Sequence, residues 1–207
     1  MNNEKYKIPE QYIGGEMDVL AKVECNSIEN AKLLYADVCN RLSDVNSWEA
    51  MSNTSLSSFT IIDSNGNVVK RQTKQGDFIR IDIPGPGTKI GHGFDWVCVE
   101  IVSNDVIEQG NLFSIQVRPS ANPNSESVKI AHFLDSIATS TFQIRRVDKT
   151  VSAEEHGRNE TPNLNTGNFL DNLRNGLVGT AALLGLSYPQ WKSLVEGLVN
   201  QGRKHSS

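Results

Sequence analysis

Apolar and polar residues alternate along many short segments of the chain, which is the pattern of half-buried β-strands. In residues 17–25, Val19, Ala21 and Val23 share one face of such a strand. Residues 94–102 are apolar on both faces, which predicts a central strand, and residues 128–138 fit a strand or a short helix. Alternation predicts further strands over 57–63, 68–73, 77–83, 112–118, 141–147 and 150–156.

Helical spacing occurs directly after the first strand. Residues 31–42 place apolar side chains three and four positions apart, and Asn26 followed by Glu29 resembles an N-terminal cap. A second short helix follows, with Trp48 and Met51 among its apolar residues. Two consecutive helices are therefore predicted between the first strand and the others.

The longest helical signal covers residues 168–200, where two apolar stripes are separated by a break at Gly185. Ser187 then fits the N-cap of a restarted helix. Leu177 and Ala181 lie one turn apart near the middle of the first stripe. Both are therefore predicted to face a sheet, and to contact any ligand held between the sheet and the helix.

The order of these elements predicts the α+β class. One strand, two short helices, about six antiparallel strands and one long helix follow each other along the chain. A sheet of about seven strands is large enough to curl around the last helix. The domain is predicted to span residues 16–201, with residues 1–15 as a loose N-terminal arm and residues 202–207 as a basic tail.

This order resembles the START-like superfamily, also called SRPBCC or helix-grip proteins, which includes polyketide-cyclase and lipid-transfer families. Residues 38–48, VCNRLSDVNSW, are similar to the segment that follows the first strand in many of these domains. Trp191, Leu194 and Leu198 are similar to the end of their last helix. The resemblance covers residues 17–200 and assigns no subfamily. It implies a cavity between sheet and helix that holds an apolar or amphipathic molecule.

Composition and charge narrow the classes of partner. A net charge of −4 gives no electrostatic footprint for nucleic acid. The three cysteines are widely spaced and form no CxxC pair, which is typical of buried thiols in a reducing compartment. The N-terminus carries no apolar signal segment, and no apolar run reaches membrane-spanning length. We therefore expect a cytoplasmic protein without stable membrane insertion.

The motifs of cofactor and metal sites are missing from the sequence. The glycine-rich run at residues 84–93 lacks the spacing of a phosphate loop and precedes a strand rather than a helix. His92, His132 and Asp135 do not have the spacing of a metal site. We expect no cofactor and no metal.

The first candidate ligand residue is Trp96, at the start of the central strand. Trp96 follows Asp95, and only one of two neighbours in a strand can face a cavity. A large aromatic side chain there would suit an apolar ligand. The alternative places Trp96 in the core and Asp95 against nearby backbone.

A second set of candidates shares one face of the strand at 141–147. Phe142, Ile144 and Arg146 alternate with polar neighbours, so all three would line the cavity if this face is concave. A buried, unpaired guanidinium is costly. Arg146 would then need a carboxylate such as Glu155, or a ligand.

The densest polar cluster, residues 156–160, ends the last strand. His156 and Arg158 share one face there and could hold a carboxylate or carbonyl group. His156 could also transfer protons near neutral pH. The alternative is a local network that fixes the linker at residues 160–167.

Three functional hypotheses follow from these patterns. The first is a protein that binds a small apolar or amphipathic molecule, such as a lipid or a polyketide-like compound. The second is an enzyme of the cyclase, dehydratase or lyase kind, with His156, Glu155 and Asp95 as catalytic candidates. The third is a protein-interaction module, for which the sequence identifies no partner.

Overall fold

The predicted strands form one antiparallel sheet. The structure, a computed structural model, describes residues 8–52, 57–85, 87–183 and 188–200. Seven strands pair in the order β1-β7-β6-β5-β4-β3-β2, so that β2 to β7 form a meander and β1 crosses over to pair with β7. The strands are β1 (Gly15–Glu24), β2 (Ser58–Ile62), β3 (Phe78–Asp82), β4 (Asp95–Ile107), β5 (Gly110–Pro119), β6 (Thr139–Val147) and β7 (Thr150–Glu160).

The strand predicted at residues 68–73 is wrong. Only one isolated bridge, Ile62 to Val68, forms there, and β2 pairs with β3 instead. The Asn46 side chain occupies the next two backbone groups that would pair, since its Nδ2 donates to the carbonyl of Val69 at 3.1 Å and its Oδ1 accepts the amide of Ile61 at 3.0 Å. Further along the same loop, Arg71 binds both carboxylate oxygens of Asp77 at 2.7 and 2.8 Å. Residues 128–138 are likewise neither strand nor helix, apart from a single bridge between Leu134 and Pro162.

Two helices follow β1, as predicted. They are α1 (Ile28–Ser43) and α2 (Trp48–Met51), the latter entered through one 3₁₀ turn at Val45–Ser47. The cap of α1 is Ser27 rather than Asn26, because the Ser27 hydroxyl accepts a hydrogen bond from the amide of Asn30 at 3.1 Å.

The predicted C-terminal helix is two helices, α3 (Phe169–Leu183) and α4 (Tyr188–Asn200). The predicted break at Gly185 and cap at Ser187 lie outside the described residues. Helix α4 packs on β1 and β7 and buries an apolar face. That face consists of Leu194, Val195, Leu198 and Val199.

The alternate side chains of each strand that point toward the helices form the inner face of the sheet. Val19, Ile115 and Ile144 lie on this face and are fully buried with the apolar side chains of α1 and α4. A seven-stranded antiparallel sheet curved around a C-terminal helix is the helix-grip architecture, so the predicted α+β class and helix-grip fold are confirmed. None of the described helices is long and apolar enough to cross a membrane.

The predicted orientation of α3 is wrong for Leu177, whereas Ala181 turns toward the sheet as predicted. Leu177 is 68% exposed and Phe169 is 78% exposed, so this part of the apolar stripe points away from the sheet. The buried side chains of α3 include Asp171 and Asn175 instead. Asp171 accepts the backbone amide of Lys89 at 2.9 Å. Polar contacts to loops therefore decide which face of α3 turns inward.

Candidate functional site

A cavity of about 310 Å³ lies between the inner face of the sheet and helices α2, α3 and α4. Most of its lining is apolar. Val178 and Ala181 close it from α3, and strands β2 to β6 supply the opposite wall. A concave, mainly apolar space with a few polar groups has the composition of a small-molecule site.

Four aromatic side chains of the lining contact each other in a closed ring. Trp48 lies 5.4 Å from Phe59 and 4.9 Å from Phe142, measured between ring centroids. Trp191 of α4 completes the ring, at 6.1 Å from Phe59 and 5.3 Å from Phe142. The tilted and edge-on geometries are those that aromatic pairs prefer. The indole nitrogen of Trp48 donates to the carbonyl of Leu42, which fixes that ring.

The polar groups of the lining include Glu160, His132, Ser140 and Gln190. Gln190 accepts a hydrogen bond from the Ser57 hydroxyl at 3.3 Å. These groups come from β6, from the end of β7, from α4 and from the loop before β6. The polar part of the cavity is therefore assembled from distant parts of the chain.

A backbone irregularity at Asn159 turns Glu160 into the cavity. Asn159 has a left-handed φ of 56° and interrupts the alternation of β7. The Asn159 side chain binds the N-terminal segment that precedes β1. Its Oδ1 accepts the amide of Tyr12 at 2.7 Å, and its Nδ2 donates to the carbonyl of Glu10 at 2.9 Å. Because the alternation is reset here, Glu155 and Glu160 both lie on the inner side of the sheet.

Burial changes the acidity of both carboxyl groups. Glu160 is 5% exposed, and burial raises its pKa to about 7 although the Arg158 guanidinium lowers it. Glu155 is 0% exposed, and its pKa lies well above 4.5 because of burial and, secondly, the Glu160 carboxylate. At neutral pH the pair therefore holds at least one proton.

His132 enters the cavity as a neutral ring. Its Nδ1 accepts the backbone amide of Leu134 at 2.9 Å, so the neutral ring carries its proton on Nε2. Complete burial lowers the pKa of His132 to about 4. Stacking on Phe133 at 4.3 Å holds the ring in place. His132 is therefore a hydrogen-bonding group without charge at neutral pH.

The structure brings only part of the predicted ligand set together. Phe142 and Ala181 line the cavity. Ile144 shares the face of Phe142 but packs in the main core, beyond the residues that line the cavity. The exposed Leu177 lies outside it.

Trp96 and Asp95 follow the alternative that the sequence left open. Trp96 packs in a second core with Ile62 and Ala131, on the opposite side of the strand from the cavity residue Val97. The Asp95 carboxylate accepts the backbone amide of Phe133 at 2.8 Å and is paired with Arg174 of α3. Neither residue is among those that line the cavity.

Arg146 has a partner within the protein. It is buried on the inner side, but its Nη2 donates to Oδ1 of Asn111 at 2.7 Å and its Nη1 to the carbonyl of Asp148 at 3.3 Å. These contacts lie at the β5 and β6 ends remote from the cavity wall. Arg146 therefore needs neither Glu155 nor a ligand, and it is not among the cavity residues.

The cluster at His156 and Arg158 lies on the outer face of the sheet. The His156 ring contacts Asp18 at 2.6 Å and Glu154 at 3.2 Å, and Arg158 contacts the same Asp18 oxygen at 2.8 Å. Burial lowers the pKa of His156, but the two carboxylates raise it overall. The alternative of a local structural network therefore describes this cluster, and the catalytic candidates His156, Glu155 and Asp95 do not converge in the cavity.

Sequence reasoning missed Glu160, Ser140 and Gln190 as cavity residues, and assigned His132 no role. The strand alternation places residue 160 on the same face as His156, and only the bulge at Asn159 reverses this. Within the described residues, no group of three or more His, Cys, Asp or Glu side chains is arranged to hold a metal ion.

No protein-family model and no curated protein matches the chain. Among solved structures, truncated norcoclaurine synthase from Thalictrum flavum matches at 9% identity and a TM-score of 0.46, over 96% of this chain and 100% of that one. A protein from Arthrobacter aurescens matches at 9% identity and a TM-score of 0.44, over 93% of this chain and 92% of that one. Major latex-like protein 151 from Panax ginseng matches at 9% identity and a TM-score of 0.32, over 84% and 97%. These similarities concern the arrangement of helices and strands and assign no ligand.

Proposed function

We propose that this protein binds a small apolar or amphipathic molecule in the cavity between sheet and C-terminal helices. The observation that carries the proposal is the concave apolar space of about 310 Å³, walled by four aromatic rings and aliphatic side chains. An apolar ligand of matching size would gain roughly 25 cal/mol for each Å² of apolar surface that it buries. The few polar groups of the lining would fix its orientation.

The proposed setting is the cytoplasm. Cys25, Cys39 and Cys98 form no disulfide bond. Burial raises the pKa of Cys39 to about 12 and also raises that of Cys98, so neither is a reactive thiolate at neutral pH. Cysteines without disulfide bonds are typical of a reducing compartment.

Native mass spectrometry of the protein as purified from cells tests the binding proposal. We expect part of the protein to carry an additional non-covalent mass, which solvent extraction releases and which is absent after denaturation. A single ligand-free mass, together with no uptake of a panel of apolar molecules that fit the cavity, would contradict the proposal.

A second candidate function is proton transfer on the bound molecule. It is supported by Glu160, whose pKa of about 7 suits a general acid or base at neutral pH. His132 supplies a second hydrogen-bonding group in the same cavity. A metabolite screen tests this candidate, with Glu160→Gln expected to abolish turnover while the bound molecule is retained. Turnover that survives in Glu160→Gln would exclude the role of Glu160.

A further inference from the structure

One buried carboxyl group, Glu160, lines the apolar cavity, and a second, Glu155, lies close enough for the Glu160 charge to raise its pKa. Neither oxygen of Glu155 has a hydrogen bond of regular geometry within the described residues, and the neighbouring Ser140 hydroxyl only partly offsets its burial. Glu160 lines the cavity, and no hydrogen bond to a described side chain offsets its burial. An unpaired buried acid is costly to the fold, which points to a partner supplied from outside the chain.

The basic side chain of Arg158 is not available to pair with either carboxyl group. Arg158 lies on the outer face, where its guanidinium contacts Asp18 at 2.8 Å and the carbonyl of Gly157 at 2.7 Å. His132, the basic side chain that lines the cavity, is neutral because of its burial. The cavity therefore carries negative potential whenever Glu160 is ionised, and it disfavours anionic ligands such as fatty acids.

The four aromatic side chains of the lining also favour a positively charged ligand over an anionic one. The Glu160 carboxyl group lies over Gly157, which pairs with Ser140 of β6, and Phe142 follows two residues later on the same face, so the acidic and aromatic parts of the cavity adjoin each other. Aromatic faces carry negative charge density and attract cations as well as other aromatic groups. Four such rings near the Glu160 carboxylate fit a molecule with an aromatic body and a positively charged end.

We propose that the ligand is an arylalkyl amine, whose ammonium group binds the Glu160 carboxylate and whose aromatic part packs against the cluster of Trp48, Phe59, Phe142 and Trp191. This inference rests on the proposed binding function and names the class of ligand. A charge-assisted hydrogen bond from the ammonium group takes the place of the hydrogen bonds to water that Glu160 loses on burial.

Isothermal titration at pH 7 with three probes of equal length tests the inference. The probes are 3-phenylpropylamine, 3-phenylpropan-1-ol and 3-phenylpropanoate, which differ only in the charge of the polar end. We expect the amine to bind about tenfold or more tightly than the alcohol, as one charge-assisted hydrogen bond allows, and the carboxylate to bind most weakly.

Glu160→Gln provides the matched variant, because it keeps the shape of the side chain and removes the charge. We expect its affinity for the amine to fall to that for the alcohol, while its affinity for the alcohol stays as in the wild type. Glu154→Gln, on the outer face of the same strand, is the control and should keep the preference for the amine. A melting curve for each variant establishes that it is folded.

A second readout needs no variant. Because Glu160 is close to half protonated at pH 7, binding of the ammonium form should release a fraction of a proton into the buffer. The binding heat of the amine should then depend on the ionisation enthalpy of the buffer, with the sign of proton release. The alcohol should release none.

The outcomes separate this inference from the function on which it rests. If the wild type binds the alcohol as tightly as the amine, or the amine releases no proton, the amine inference is overturned while the binding function stands. If none of the three probes binds, the proposed function fails and this inference fails with it.

Discussion

The Asp95 carboxylate on β4 binds both terminal nitrogens of Arg174 on α3, at 2.9 and 2.5 Å. Asp95 is fully buried and the Arg174 side chain nearly so. The pair joins α3 to the sheet beside the cavity that α3 closes through Val178 and Ala181. A polar contact therefore holds the helix that covers the candidate ligand site.

Removing Arg174 should destabilise the protein strongly. In Arg174→Met the Asp95 carboxylate stays buried without its cation, which costs about 3–5 kcal/mol. Urea unfolding measures the loss. The control is Lys32→Met, which removes the exposed Lys32–Glu29 pair on α1 and should cost less than about 1 kcal/mol. Equal losses in the two variants would mean that the Asp95–Arg174 pair does not hold α3.

Two helical glycines should respond in opposite ways to the same substitution. A Cβ at Gly197 of α4 would lie 2.1 Å from the carbonyl oxygen of Met51, so Gly197→Ala must push α4 away from α2. A Cβ at Gly176 of α3 would meet only a Leu164 methyl group at 3.6 Å. We expect Gly197→Ala to cost about 2 kcal/mol or more, as overpacking does. Gly176→Ala should gain up to about 1 kcal/mol from helix propensity.

Thermal melts of the two alanine variants decide this prediction. A melting temperature that rises in both would show that α4 does not approach α2 as closely as the structure has it.

Glu160 should make the protein less stable as the pH rises. Its folded-state pKa of about 7 lies above the usual value of 4.5, so the folded state holds the proton more tightly than the unfolded state. The contribution of Glu160 to the free energy of unfolding is fully present below pH 4.5 and is lost as the pH rises through 7. Glu160→Gln removes the effect. When the pH is raised from 5 to 8, the free energy of unfolding of the variant should rise by roughly 2–3 kcal/mol relative to that of the wild type.

Urea unfolding of both proteins at pH 5 and pH 8 measures this gain. His132 is present in both, so its own pH dependence cancels in the comparison. Glu49→Gln is the control, because that carboxyl is exposed on α2 and its removal should change stability equally at the two pH values. A Glu160→Gln variant that gains nothing toward pH 8 would place Glu160 in contact with water rather than in a buried site.

Most strands could be predicted because alternation is a local property. The strands β6 and β7 cover the two segments predicted at 141–147 and 150–156, and β1 keeps its Val19 and Val23 inside. The strand predicted at residues 68–73 is absent because the Asn46 side chain, which alternation does not reveal as a partner, binds the Ile61 amide and the Val69 carbonyl in place of backbone pairing.

The orientation of α3 and the inward position of Glu160 could not be read from the pattern. The apolar stripe of α3 predicted burial, but Asp171 and Arg174 bind groups about eighty residues earlier in the chain. Glu160 faces inward because Asn159 binds the arm near Tyr12, 147 residues away. Both features depend on long-range polar contacts, whereas the hydrophobic pattern reports only on short-range order.

The central claim is that the cavity closed by α3 takes up an apolar molecule, and a pair of tryptophan substitutions on that helix tests it most directly. Ala181→Trp fills the cavity from within, whereas Leu177→Trp adds the same side chain to the exposed face one turn away. Binding of the uncharged dye N-phenyl-1-naphthylamine is followed by its fluorescence. We expect saturable binding to the wild type and to Leu177→Trp, and at least about a tenfold loss of affinity in Ala181→Trp. Equal binding to all three proteins, or no binding to the wild type, would contradict the claim.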